Sequence, residues 1–129
     1  MKKFSLILVL LALILPMAAT ARKEGQPKVT FKEYRHDFGN VKEKGGNVSC
    51  NFTFTNTGDA NLLIIDATAT CGCTKPEYPK KPIAPGKTGV IKVTYRPIGR
   101  PGPIDRTVTV KTNGSPKKVR LKIVGNVIP

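Results

Sequence analysis

Apolar and polar positions alternate along most of this chain, and the alternation has a period of two. Val48, Cys50, Phe52 and Phe54 share one face of an extended segment, with Ser49, Asn51, Thr53 and Thr55 on the other. Ile91, Val93 and Tyr95 alternate with Lys92, Thr94 and Arg96, and Val108 and Val110 with Thr107, Thr109 and Lys111. Val119, Leu121 and Ile123 alternate with Lys118, Arg120 and Lys122. Each segment reads as a strand with one face toward a core and one toward water. Leu62 to Ile65 is apolar at every position, which predicts a central strand covered on both faces. Between Val29 and Phe38 the phase changes: Val29 and Phe31 fit one register, Tyr34 and Phe38 the other. A bulge or a break is therefore predicted near Glu33.

Turn chemistry separates these runs. Lys44-Gly45-Gly46-Asn47, Asn56-Thr57-Gly58-Asp59, Ala84-Pro85-Gly86, Pro101-Gly102-Pro103 and Asn113-Gly114-Ser115-Pro116 all carry turn-favouring residues. Past the N-terminal segment, no helical apolar stripe of ten residues or more is present. Six or seven short strands in about 100 residues predict an all-β fold, an antiparallel β-sandwich of about seven strands. The tryptophan that packs on the inter-sheet disulfide of antibody domains is absent from this chain.

The N-terminus follows another pattern. Met1-Lys2-Lys3 precedes an apolar run from Phe4 to Leu15, then Pro16 and Met17-Ala18-Ala19-Thr20-Ala21. A basic start, a short apolar segment and an Ala-x-Ala end make a secretory signal peptide, cleaved after Ala21. An uncleaved membrane anchor is disfavoured, because spanning takes about 20 apolar residues and this run is shorter and broken by proline. Arg22 and Lys23 directly after the cut are a blemish, since positive charge there opposes export. The expected organisation is residues 1–21 as signal, 22–28 as a short flexible lead-in and 29–129 as one domain. The expected location is the periplasm, the cell envelope or the exterior, with no transmembrane helix after cleavage.

Composition narrows the function. The 129 residues hold 22 Lys and Arg against 8 Asp and Glu, a formal charge of +14, and one histidine. Removing residues 1–21 lowers that charge by only two. Export and the lack of a basic helix or stacked-aromatic pattern argue against nucleic acid as the partner. Lipid headgroups, acidic glycans or an acidic protein are the natural partners of a positive exported domain. A merely solvated charged surface is the blander reading. One histidine and few carboxylates leave little for acid–base chemistry, and no Ser-His-Asp set, phosphate-cradling glycine loop or paired-carboxylate arrangement is present. A non-enzyme is expected.

Several segments in this order resemble one family. They are His36-Asp37-Phe38-Gly39, Phe52-Thr53-Phe54-Thr55-Asn56-Thr57-Gly58, Cys71-Gly72-Cys73-Thr74, Pro82-Ile83-Ala84-Pro85-Gly86 and Gly99-Arg100-Pro101-Gly102-Pro103. Together they are similar to the bacterial domain-of-unknown-function 1573 family, across roughly Lys32 to Val127. The resemblance implies a small exported Ig-like sandwich of the kind frequent in Bacteroidetes, related in layout to PapD-like and ASH/MSP-type domains. It implies no activity; scaffold and chaperone roles in the wider group are an analogy.

Chemistry could sit at the three cysteines, Cys50, Cys71 and Cys73. On a simple hairpin turning at Asn56 to Ala60, Cys50 would face about Ala67. Cys71 would then lie roughly 13 Å away at ~3.3 Å per residue. A Cys50 disulfide would therefore need the strands in opposing sheets or a chain that folds back. Cys50 shares the apolar face of Phe52 and Phe54 and reads as a small buried hydrophobe. Cys71 and Cys73, separated by one glycine, point the same way on an extended chain. They could hold a soft metal such as Cu(I), or close into a small reducible disulfide; Lys75, Lys80 and Lys81 would favour the thiolate. The plainer alternative is that the pair fixes a strand end. No other cofactor is expected.

Arg96, Arg100 and Arg106 flank the Gly-Pro turn and are a candidate anion site, set against ordinary loop charge. His36 beside Asp37 reads as part of a local turn hydrogen bond. Three Asn-x-Ser/Thr matches, at Asn47, Asn51 and Asn113, read as chance in a bacterial chain. The reading favoured overall is an exported, non-catalytic Ig-like module of the envelope that binds a protein or an anionic surface polymer. Copper binding or thiol redox chemistry at Cys71-Gly72-Cys73 is the alternative.

Overall fold

The alternating segments become strands whose apolar faces meet. The computed structural model describes residues 25–129, so the predicted signal segment and residues 22–24 lie outside the described residues. Eight strands form: β1 (Val29–Phe31), β2 (Arg35–Lys42), β3 (Val48–Asn56), β4 (Ile64–Ala69), β5 (Thr74–Glu77), β6 (Thr88–Tyr95), β7 (Gly102–Thr112) and β8 (Lys118–Ile128). They make two four-stranded sheets, in the orders β1-β3-β6-β5 and β2-β8-β7-β4. The fold is an all-β sandwich.

Phe52, Phe54, Ile91, Val93 and Tyr95 from the first sheet meet Val108, Val110, Leu121 and Ile123 from the second, each at most 2% exposed. Burying each such side chain is worth about 1.5–3 kcal/mol, which is what holds two sheets face to face. On the outer sides, Ser49, Asn51, Lys92, Arg120 and Lys122 are exposed, as the alternation requires.

The phase change near Glu33 is a change of sheet. The Lys32 N–H still donates to Thr53 O in the first sheet (2.9 Å), while Tyr34 O already accepts from Lys122 N–H in the second (2.9 Å). β2 thereby enters the second sheet running in the same direction as β8, and the two pair parallel. This is the departure from the expected antiparallel arrangement.

Three further expectations change. Leu62 to Ile65 is not a covered central strand: β4 is an edge of its sheet, and Leu63 and Ile65 are 36% and 54% exposed. The apolar run straddles a step between sheets. Leu62 exchanges backbone bonds with Ile83, and Leu63 O accepts from Asn113 N–H. Nor do β3 and β4 form a hairpin. They lie in opposing sheets, where Cys50 pairs with Val93 and Ala67 with Val110. Finally, Gly25–Lys28, expected within a flexible lead-in, is bonded to the domain: Gln26 N–H donates to Asp59 Oδ1 (2.6 Å) and Lys28 O accepts from Thr57 N–H (2.9 Å).

Candidate functional site

Cys71-Gly72-Cys73 occupies the link between β4 and β5, at the end of the sandwich that also carries the β6–β7 connection. A tight turn forms there because Thr74 N–H donates to Cys71 O (3.1 Å). The two sulfurs are joined, with Cα atoms 5.2 Å apart. Cys73 is 3% exposed and its carbonyl accepts from Arg96 N–H (2.8 Å), so it is fixed to β6. Cys71 is only half-buried and Gly72 is exposed. Of the three lysines expected to favour a thiolate, Lys80 instead lies over the Tyr78 ring, 3.5 Å from its centroid.

Cys50 does not join this pair. It is free and buried, and burial pushes its thiol up to about 11. β6 stands between β3, which carries Cys50 level with Val93, and β5, which follows Cys73 level with Arg96; two strand spacings of ~4.8 Å and a three-residue offset along β6 keep the two cysteines more than roughly 10 Å apart. Among the described residues no three His, Cys, Asp or Glu side chains gather in a way that could hold a metal ion.

The three arginines are likewise dispersed. Arg96 and Arg100 are exposed in the β6–β7 connection, whereas Arg106 lies on β7 between Ile104 and Val108, facing the core. Its Nε is buried without a hydrogen-bond partner, and one terminal nitrogen donates to Asp105 O (3.3 Å). The period-two placement of Arg106 between two buried residues was the signal for that orientation. At His36 the turn bond belongs to its neighbour: Asp37 Oδ1 accepts from Gly39 N–H (2.8 Å), while the His36 ring packs edge-on against Phe38.

Which strands form the edges is set by the pairing: β1 and β5 in the first sheet, β2 and β4 in the second. β1 has three residues and β5 four, including Pro76, so neither offers a long free ladder. β2 is longer but kinks at Gly39, which has φ of 65°, and exposes Arg35, Asp37 and Lys42. Such charges and bulges are how a sheet edge avoids unwanted pairing. β4 has fewer defences. A register shift lies between Ile64 and Asp66, but Asp66–Ala69 then run in regular register with β7. Leu63 and Ile65 are exposed, and two side chains meet its backbone: the Tyr78 hydroxyl, 3.5 Å from Ile65 O, and the Asp66 carboxylate, which accepts from Ala67 N–H (2.9 Å).

Against this geometry the comparisons with known proteins can be placed. Residues 29–127 match the family model described as "Protein of unknown function (DUF1573)". The chain belongs to this family. No curated protein matches it. Among solved structures, a protein of unknown function from Porphyromonas gingivalis is similar, with 16% identity and a TM-score of 0.65 over 84% of this chain and 50% of that one. The chain therefore spans half the length of that relative. The seventh PapD-like (ASH) domain of human CEP192 is similar over 80% of this chain and 87% of that one, with 13% identity and a TM-score of 0.65. The secreted serine protease VesC of Vibrio cholerae is similar over 77% of this chain but 23% of that one, with 15% identity and a TM-score of 0.57. At these identities the likeness is one of fold alone: a two-sheet β-sandwich.

Proposed function

We propose that this protein is an exported, non-catalytic module of the bacterial envelope that captures an extended segment of a partner protein along β4. The observation that carries the reading is the contrast among the four edges: β4 runs in regular register from Asp66 to Ala69, and the exposed apolar side chains Leu63 and Ile65 lie directly before that row. A segment adding there would replace the side-chain bonds that Tyr78 makes to Ile65 O and Asp66 to Ala67 N–H with backbone bonds, and would cover those apolar side chains, which is the logic of strand addition. The basic-apolar-Ala-x-Ala N-terminus supports export. The PapD-like fold of the neighbours supports a binding role by analogy.

The test is site-specific photo-crosslinking in the native envelope, with the photoreactive residue at Thr68 on β4 or at Thr94 on β6. Adducts to one partner from Thr68 and not from Thr94, lost on Ile65→Lys, support the reading. Equal adducts from both positions, or none from Thr68, overturn it. N-terminal sequencing of the same material should begin at Arg22.

A second reading rests on the unequal exposure of the two linked cysteines. An external thiolate could reach the Cys71 sulfur, form a mixed disulfide there and release the buried Cys73 sulfur as the leaving thiolate. This would make the pair an exchange site.

A further inference from the structure

The outward faces of the two sheets differ in charge. On the first sheet they are dominated by Thr30, Ser49, Asn51, Thr53, Thr55 and Thr94; of its two cations on β5 and β6, Lys75 is beside Thr94 and Lys92 pairs in register with Glu77. On the second sheet, Lys118, Arg120 and Lys122 follow one another along the outer face of β8, all exposed. Two residues of an antiparallel strand span about 6.8 Å, so this is a straight row of three cations at that spacing. Neighbouring strands widen it. Lys111 on β7 is directly opposite Lys118, and Arg35 on β2 is directly beside Lys122.

This arrangement opposes stability. Like charges directly across a sheet destabilise it, and Lys111 and Lys118 are such a pair. Asp66 on β4 is in register with Lys111, but its carboxylate accepts from its neighbour Ala67 N–H (2.9 Å). The one ion pair among the described residues, Lys122 Nζ to Asp105 Oδ1 at 3.1 Å, closes the row at one end. Asp37, beside Val124, limits it at the same end. Lys111, Lys118, Arg120 and Arg35 have no salt-bridge partner among the described residues.

The groups between the cations narrow the class of ligand. Thr107 and Thr109 lie beside Lys122 and Arg120 on β7, and the outer faces of β7 and β8 carry no aromatic side chain. Without aromatic platforms, nucleobases have nothing to stack on. Leu63 and Ile65, the exposed apolar residues of this sheet, sit on the far side of β7, not among the β8 cations that a membrane-docking face would interleave with them. Hydroxyls interspersed with a linear row of cations match a chain that presents hydroxyls and one carboxylate per repeat.

We propose that the outer face of β8 binds a linear carboxylated polysaccharide, through Lys118, Arg120 and Lys122 with Lys111 and Arg35 at its sides. The site is separate from the β4 edge, so a chain that fails to capture a protein there can still bind the polymer.

The test measures binding of the mature protein to polygalacturonate across a salt series, with neutral dextran as control. Binding to polygalacturonate and not dextran is expected. Lys118→Gln with Arg120→Gln should weaken it at least tenfold and flatten the salt dependence by about two charges. Lys75→Gln with Lys92→Gln, an equal loss of charge on the other sheet, should leave both unchanged. All four positions are exposed, and circular dichroism checks each fold. Equal losses in the two variants would reduce the effect to net charge and overturn the proposal. So would absence of polymer binding at physiological salt, or tighter binding to phosphatidylglycerol vesicles than to the polymer.

Discussion

The side-chain amide of Asn56 donates to the carbonyl of Ile83, 27 residues further along, at 2.8 Å. The same nitrogen donates to Ala60 O (2.7 Å), and its oxygen accepts from Gly58 N–H (3.0 Å) and Lys28 N–H (3.3 Å). Asn56 is fully buried, and one side chain thus ties the end of β3 to the lead-in, its own turn and the approach to β6. Replacing it strands three backbone groups, since the Ile83 carbonyl also accepts from Leu62 N–H (2.9 Å). Asn56→Ala should cost roughly 2–4 kcal/mol. At ~4–8 °C per kcal/mol in a domain of this size, thermal denaturation should show a fall of more than about 10 °C.

Gly89 lies across from Phe54 on the core side of the first sheet. A Cβ there would overlap the aromatic ring, with Phe54 Cε1 at 2.9 Å. Gly89→Ala should destabilise by about 1–3 kcal/mol in denaturant titration. Adding Phe54→Leu should then cost less than it does alone, because the two residues share one space.

The buried Cys50 thiol should resist iodoacetamide at mildly alkaline pH in the native protein and react fully once the protein is unfolded. Its folded pKa lies above the unfolded one, so its proton favours the native state below the unfolded value. That contribution is lost as pH rises from about 9 toward about 11. Denaturant midpoints measured across that interval should fall more steeply for the natural chain than for Cys50→Ala.

The Cys71–Cys73 link closes a very small ring, and small rings constrain the unfolded chain least. Cys71→Ser with Cys73→Ser should cost less than about 2 kcal/mol. Peptide-mapped mass spectrometry of native protein, without reductant, should find Cys71 and Cys73 linked and Cys50 free. Under the exchange reading, glutathione should form its adduct on Cys71 and not on Cys73.

Strand positions were legible because each has one wet and one dry face, and alternation records that directly. The break at Glu33 was legible for the same reason. What local pattern does not record is which strands become neighbours. Leu62 to Ile65 looked central because four apolar residues in a row normally mean cover on both faces; here the chain steps between sheets, leaving Leu63 and Ile65 outside. Lys118, Arg120 and Lys122 were visible as the polar half of a strand. That Lys111 and Arg35 join them depends on pairings between residues far apart in the chain. Arg96, Arg100 and Arg106 are near in sequence, yet Arg96 and Arg100 stay in the exposed β6–β7 connection while Arg106 faces the core from β7.

The last strand in chain order is an inner strand. β8 lies between β2 and β7, so β2 has no place in the second sheet until residues 118–128 are present. A chain emerging from its N-terminus can pair β3 with β6 and β4 with β7 early. It must hold β2 unjoined until β8 follows, because the partner of β2 in the sheet is β8. The order of the strands thus leaves the first strand of the second sheet waiting for the last, so that sheet closes by joining residues from opposite ends of the domain.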